Sequence, residues 1–153
     1  MPVFDYCFRV DAPFQAVSDF HFRPGILKTL TPPLMFMQVH RCDPLAEGSV
    51  AEFTMWMGPI PVRWTAVHSD VRPESFSDTQ TRGPMKFWKH THTFTPVDDR
   101  TTQVHEHIEF EHFSGLRGLW SRLLFPRMAL NMLFLWRSFV TRRALRKRAR
   151  RED

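Results

Sequence analysis

The chain has 153 residues, of which 42% are hydrophobic and 24% charged, and its formal net charge is +5. This length suits one domain with its own core, and this balance excludes a disordered or fibrous protein. The 15 phenylalanines and 5 tryptophans either fill a thick core or line an apolar pocket.

The first third predicts one strand followed by two short helices. Val3–Val10 alternates and is rich in residues that favour strands. Asp11 is a good N-cap for a helix over about Pro13–Phe20, because aspartate accepts hydrogen bonds from free backbone N–H groups. A second helix is predicted over Gly25–Leu30, and it ends at Pro32, since proline cannot continue a helix.

The middle of the chain predicts an antiparallel meander. Short runs typical of strands are separated by clusters of Gly, Pro and Asp at fairly even spacing. The predicted strands are Met35–Cys42, Ser49–Met57, Pro61–Val71, Ser75–Arg82, Met85–Pro96 and Thr101–His112. The two cysteines, Cys7 and Cys42, form no CxxC pair. We therefore predict buried free thiols in a reducing compartment, and a cytoplasmic protein.

The last third predicts helix from Leu116 to about Arg148, divided at Pro126. Its longest run without a formal charge is much shorter than the roughly 20 apolar residues of a membrane span. The N-terminus lacks the pattern of a signal peptide. We predict a single domain over 1–149, with a basic tail over 142–153 that is a solvated or frayed helix end.

Several stretches resemble the START-like (SRPBCC) superfamily of polyketide cyclases/dehydrases and lipid-transport proteins. Val10–Pro13 resembles the passage from the first strand into a capped helix. Phe76–Gln80, Gly83–Met85 and Trp88–Phe94 resemble a bacterial subgroup that also occurs fused to epimerase-like domains. Phe134–Arg137 is similar to an aromatic–Arg pair in the last helix of that subgroup.

The resemblance implies an α+β helix-grip fold. In this fold a curved antiparallel sheet of about seven strands wraps a long C-terminal helix, with two short helices after the first strand. A bent sheet on a single helix leaves a hollow, which suits a small apolar or amphipathic molecule such as a lipid, an aromatic compound or a polyketide-like compound.

Alternation predicts which polar side chains face that hollow. His90 and His92 share a strand face with Trp88, and Glu106 lies among apolar residues of the next strand. Pairing of these strands places Glu106 opposite one histidine and diagonal to the other. The complete set of predicted ligand-binding residues is Trp64, Asp78, Gln80, Trp88, His90, His92, Glu106, Met132 and Trp136.

Three interpretations of this inward polar cluster remain open. The groups satisfy one another as a structural network, because buried polar groups need partners. Alternatively, they orient a ligand, or they bind a metal or transfer protons. A His-x-His pair alone is a weak sign of a metal site, and we predict no metal and no cofactor. For catalysis the candidates are His90, His92 and Glu106.

We therefore expect a small-molecule binding protein, and keep two alternatives. One is a cyclase/dehydratase- or isomerase-type enzyme that uses a histidine–carboxylate pair in the same cavity. The other is a membrane-surface adaptor, in which the basic residues from Arg142 to Arg151 contact anionic lipid. No recognition motif accompanies those basic residues, so nucleic acid is not an expected partner.

Overall fold

The computed structural model describes residues 1–152, with side chains through Lys147. Seven strands form: β1 Val3–Val10, β2 Phe36–Cys42, β3 Val50–Met57, β4 Ile60–Arg72, β5 Ser75–Arg82, β6 Phe87–Asp98 and β7 Thr101–Glu111. The helices are α1 Phe14–His21, α2 Ile26–Thr29, α3 Gly115–Leu124 and α4 Arg127–Glu152. Every predicted strand is present, with each boundary within about two residues of the prediction.

All seven strands belong to one antiparallel sheet in the order β1-β7-β6-β5-β4-β3-β2. The strands from β2 to β7 are joined as successive antiparallel neighbours. β1 pairs with β7, with Phe4 opposite Ile108 and Val10 opposite Thr102. The helices cover one face of this sheet, so the predicted helix-grip α+β fold is confirmed.

The two central strands β6 and β7 set the inner face of the sheet. Trp88, His90, His92 and Phe94 are all buried on β6, while the intervening residues remain partly exposed. Alternate residues of β7 are buried in the same way, and Glu106 is among them. Because side chains alternate between the two faces of a strand, this pattern confirms the predicted direction of the histidines and Glu106.

Two apolar clusters fill the space between the sheet and the helices. The first includes Trp64, Trp88 and Phe134, and the second includes Phe76 and Phe94. His90 packs edge-on against Phe134 with ring centroids 5.4 Å apart, and His92 stacks on Phe76 at 4.2 Å. The histidines therefore lie where the two apolar clusters meet.

The helix division at Pro126 is observed, since α3 ends at Leu124 and α4 begins at Arg127. Within residues 1–152, no helix is long and apolar enough to cross a membrane. The basic tail was predicted over 142–153. The side chains of residues 148–153 lie outside the described part of the structure.

The prediction of buried cysteines is wrong. Both Cys7 and Cys42 are exposed free thiols. Cys7 lies opposite His105 on the outer face of the sheet, because Phe8 and Phe4 occupy the inward positions of β1. Cys42 is the last residue of the edge strand β2, where few side chains cover it.

Candidate functional site

A cavity of about 590 Å³ lies between the sheet and the helices. This volume is within the usual range for sites that hold small organic molecules. Most of its wall is apolar, and its apolar lining residues include Phe53, Met55, Trp64, Trp88, Leu130 and Phe134. Polar groups enter the wall from the inner face of β5 and β6 and from α4, namely Asp78, His90, His92 and Arg137.

The cavity opens to the surface between the α1–α2 segment and the loop that joins β2 to β3. Arg23, Gly25 and Lys28 line it from the region of α1 and α2, and all three are exposed. Pro44, between β2 and β3, lines it and is also exposed. A molecule can therefore enter past α2, a four-residue helix at whose start Gly25 adopts a left-handed backbone conformation.

Strand register brings the polar side chains together. His92 is directly opposite Glu106 in the β6–β7 pair, and His90 is directly opposite Asp78 in the β5–β6 pair. The sequence left open which histidine faces Glu106, and the structure assigns that position to His92. Each imidazole consequently has one carboxylate on either side.

Glu106 contacts both imidazoles through one oxygen. His90 Nε2 forms a hydrogen bond with Glu106 Oε2 at 2.8 Å. His92 Nδ1 lies 2.7 Å from the same oxygen, but its direction is unfavourable for a hydrogen bond. On the other side, Asp78 Oδ2 lies 3.4 Å from His90 Nδ1 and 3.5 Å from His92 Nε2. These distances describe one compact ionic cluster.

Charge within the cluster opposes the effect of burial. Burial lowers the pKa of His92, but the neighbouring Glu106 and Asp78 outweigh it and raise that pKa to about 9. Burial raises the pKa of each carboxylate, and the histidines outweigh it in turn. The pKa of Glu106 therefore lies well below its ordinary value, and that of Asp78 is lowered as well. At neutral pH His92 is a cation held between two anions.

Arg137 adds a second cation on the cavity wall. Its guanidinium lies 5.2 Å from the ring centroid of Phe134, and its buried Nε has no hydrogen-bond partner in the described part of the chain. Burial lowers the pKa of Arg137, although the attraction of Glu106 and Asp78 offsets this in part. Two carboxylates and two cations thus share this part of the site, while the Arg137 Nε still lacks a hydrogen-bond partner among the described residues.

Asp78, His90 and His92 also present three donor atoms that are close enough to hold a metal ion. Two histidines and one carboxylate are a common ligand set. However, Arg137 lies on the same wall and contributes positive charge there, which opposes the binding of a divalent cation.

Five of the nine predicted ligand-binding residues line the cavity, and they are Trp64, Asp78, Trp88, His90 and His92. Glu106 is buried behind them, where its carboxylate contacts both imidazoles. Gln80 does not line the cavity. Its amide bonds to the backbone N–H and C=O of Met85 at 3.3 and 2.8 Å, because the pairing of β5 with β6 ends at Thr79. Gln80 therefore closes the turn between these strands.

The two α4 residues that were predicted to bind a ligand also do not line the cavity. Met132 is largely exposed, and Trp136 is half-buried without lining the cavity. The face that does line the cavity carries Ala129, Leu130, Leu133, Phe134 and Arg137, which recur with the period of a helix. Met132 and Trp136 point away from that face. The aromatic–Arg pair at the end of Phe134–Arg137 was the signal that could have identified Arg137.

No protein-family model and no curated protein matches this sequence. Solved structures do resemble it. Norcoclaurine synthase from Thalictrum flavum, in complex with dopamine and hydroxybenzaldehyde, has a TM-score of 0.69 and 15% identity, covering 91% of this chain and 85% of its own. The ZhuI aromatase/cyclase from Streptomyces sp. R1128 has a TM-score of 0.67 and 17% identity, covering 98% and 94%.

A third structure, the nucleoside-diphosphate sugar epimerase from Corynebacterium glutamicum, has a TM-score of 0.73 and 20% identity. The match covers 96% of this chain but 30% of the epimerase chain. These identities are low, so the similarities concern the fold. They show, together with the seven-stranded sheet and its long helix, that this chain has the START-like, or SRPBCC, helix-grip fold.

Proposed function

We propose that the cavity binds an amphipathic small molecule whose oxygen-bearing group contacts Arg137, His90 and His92. The observation that carries the proposal is a charged cluster on the inner part of a mostly apolar wall. Such a wall gives affinity through its apolar area and orientation through a few polar groups. The volume of about 590 Å³ suits a molecule the size of a medium-chain lipid or a small polycyclic aromatic compound.

Arg137 is the group that most needs a partner. A buried guanidinium nitrogen without an acceptor is costly, and an oxygen of a bound molecule would satisfy it. Guanidinium groups favour carboxylates and other anionic oxygens, because their N–H groups form a planar fork. The proposal therefore includes a preference for ligands with an anionic oxygen over ligands of the same shape without a charge.

The comparisons agree with this proposal at the level of the fold. The norcoclaurine synthase structure holds two small aromatic molecules, dopamine and hydroxybenzaldehyde. The same fold in this chain leaves a cavity lined by Trp64 and Trp88, whose rings pack edge-on with centroids 5.3 Å apart. Aromatic walls of this kind provide a large contact area for flat or aliphatic ligands.

The test uses the fluorescent aromatic anion 8-anilinonaphthalene-1-sulfonate as a probe. We expect the protein to bind it, and decanoate to displace it at lower concentration than decanol does. Arg137→Leu should weaken decanoate binding about tenfold, the loss of one charged hydrogen bond. Arg143→Leu, an exposed position on the same helix, is the matched control. Equal displacement by both compounds, unchanged by Arg137→Leu, would refute the proposed role of the arginine.

A second candidate function is acid–base catalysis in the same cavity. The observation that favours it is that both imidazoles reach the cavity wall rather than being sealed behind Trp64 and Trp88. His92 is charged at neutral pH because its pKa is about 9. It therefore serves there as a proton donor, and it becomes a base only at higher pH.

Deuterium exchange tests this second candidate. The α-hydrogens of 2-decanone in D₂O report proton abstraction next to a carbonyl group, and NMR measures their loss. Catalysis by His92 predicts a protein-dependent exchange rate that increases as pH rises through about 9, and a loss of this rate in His92→Gln. The matched control is His105→Gln on the outer face of the sheet. A rate equal to that of buffer at every pH would exclude this chemistry.

A further inference from the structure

The helix α3 has its apolar stripe on the outside of the molecule. Leu116, Leu119, Trp120 and Leu123 recur at the spacing of one helix face, and they are between 59% and 85% exposed. An amphipathic helix usually buries this stripe against the core. Here the core side of α3 is instead occupied by the small residues Gly118 and Ser121.

The exposed apolar surface continues along α4. Met128, Met132, Leu135 and Phe139 are between 51% and 70% exposed, and they again recur at helical spacing. The opposite side of α4 is the one that lines the cavity, through Leu130 and Phe134. Eight large apolar side chains on two consecutive helices are therefore exposed, and exposed apolar surface of this extent often marks an interaction site. We call these eight residues the α3–α4 face.

The charged residues on these two helices whose side chains the structure describes are all basic. From Phe113 to Lys147 the sequence contains no aspartate or glutamate. Seven basic residues of this stretch are exposed, namely Arg117, Arg122, Arg127, Arg142, Arg143, Arg146 and Lys147. Beside Trp120 lies a groove that α3 forms with the start of β4 and the turn after β5. Arg63, Arg82 and Arg117 line this groove, and no carboxylate of the described residues does.

We propose that the α3–α4 face docks on an anionic lipid bilayer. The apolar side chains would enter the boundary between headgroups and acyl chains, while the surrounding arginines contact lipid phosphates and carboxylates. The groove beside Trp120 offers three guanidinium groups to one headgroup, and guanidinium forks match phosphate geometry. The helices would lie on the bilayer surface without crossing it.

Charge favours this partner over a second copy of the chain. A symmetric dimer through the α3–α4 face would bring together the arginines of two copies, and residues 113–147 carry no acidic side chain to balance them. The face also adjoins the cavity, because Leu124 at the end of α3 lines both the groove and the cavity. Docking would therefore bring the cavity wall close to the bilayer. The proposal is independent of which molecule occupies the cavity.

Co-sedimentation of the full chain with lipid vesicles tests the proposal. Vesicles of phosphatidylcholine alone are compared with vesicles that contain about 30% phosphatidylserine, the class of anionic lipid found at cytoplasmic surfaces. We expect binding only to the anionic vesicles, and a decrease of at least about fivefold at roughly 0.5 M NaCl, since salt screens exposed charges. Binding that is equal on both vesicles, or absent from both, would overturn the proposal.

Two pairs of substitutions locate the contact. Leu119→Asp with Leu123→Asp removes part of the apolar stripe, and Arg117→Glu with Arg122→Glu reverses two charges. We expect each pair to reduce binding about tenfold or more. The matched controls are Val97→Asp and Arg100→Glu, exposed residues near the β6–β7 turn, and they should bind like the unaltered chain.

Light scattering measures the oligomeric state and so distinguishes a protein–protein interface from a lipid-binding face. All the substituted residues are exposed, so the melting temperature should remain within a few degrees of the original. If the chain forms a dimer that Leu119→Asp with Leu123→Asp dissolves, and vesicles do not bind, the α3–α4 face is a protein interface and the lipid proposal is wrong. A chain that is monomeric in solution and binds anionic vesicles supports it.

Discussion

Glu106 and His92 face each other across the β6–β7 pair, with Glu106 Oε2 2.7 Å from His92 Nδ1. The same oxygen accepts a hydrogen bond from His90 Nε2 at 2.8 Å. One carboxylate behind the cavity wall thus contacts two imidazoles on that wall. The charge state of the site depends on this relationship.

Replacing Glu106 should lower the pKa of His92. In Glu106→Gln the charge that opposes burial is lost, so the pKa of His92 should fall from about 9 toward its ordinary value of 6.5. The free energy of unfolding should fall by about 3 kcal/mol, because a buried charge loses its partner. Imidazole chemical shifts followed by NMR against pH measure the first effect, and urea unfolding measures the second.

Glu109→Gln is the control for this prediction. Glu109 lies on the same strand, but on the partly exposed outer face. Its replacement should leave the pKa of His92 unchanged and alter the unfolding free energy by less than about 0.5 kcal/mol. A His92 pKa that stays near 9 in Glu106→Gln would show that Glu106 is not the source of the shift.

The stability of the protein should be greatest near pH 6.5. The pKa of His92 is raised in the folded state, so its contribution is fully present below about 6.5 and is lost as pH rises through about 9. His21 behaves in the opposite way, since burial lowers its pKa to about 4. Its contribution is present above 6.5 and is lost as pH falls toward 4.

Urea unfolding followed by tryptophan fluorescence checks this profile. The decrease in unfolding free energy from pH 6.5 to 9 should be roughly 2–3 kcal/mol. In His92→Gln this part of the profile should become flat, whereas His105→Gln on the outer face should retain it. Stability that increases between pH 6.5 and 9 would contradict the charge assignment of His92.

Gln80 should contribute to stability and not to ligand binding. Its side chain bonds to both backbone groups of Met85, and Gly83 fits beneath it because a Cβ there would lie 2.2 Å from Gln80 Oε1. We expect Gln80→Ala to lower the unfolding free energy by about 1–2 kcal/mol. The affinity for 8-anilinonaphthalene-1-sulfonate should stay the same. Weaker binding of the probe with an unchanged free energy of unfolding would show that Gln80 contacts the ligand.

Filling the cavity from α4 should prevent binding. Ala129 lines the cavity, so Ala129→Trp places a large ring in the space that a ligand would occupy. We expect the probe affinity to fall about tenfold or more, a loss of at least about 1.4 kcal/mol. Met132→Trp, three residues further along the same helix, points outward and is the matched control. Equal effects of the two substitutions would contradict the assigned helix face.

The fold and the centre of the site could be predicted from strand patterns. The alternation around His90, His92 and Glu106 has a period of two, which fixes the facing of each side chain once the strands are located. Turn residues such as Gly83 and Pro84 located the strands. Asp78 followed from the same rule, because it lies opposite His90 in the neighbouring strand.

The predictions for α4 failed for a different reason. Hydrophobic residues occur on both of its sides, so periodicity alone could not distinguish the cavity side from the α3–α4 face. Met132 and Trp136 are large apolar residues on the outer side, whereas the cavity side carries the charged Arg137. The position of Gln80 differs from the prediction because the β5–β6 pairing ends at Thr79, and alternation alone does not show where two strands stop pairing.

Histidine NMR during a titration with decanoate is the most direct test of the proposed site. The imidazoles of His90 and His92 belong to the cavity wall, whereas His105 and His107 lie on the outer face of the same strand pair. We predict saturable shifts of the His90 and His92 signals, with those of His105 and His107 unchanged. Shifts confined to the outer histidines, or none in any of the four, would contradict it.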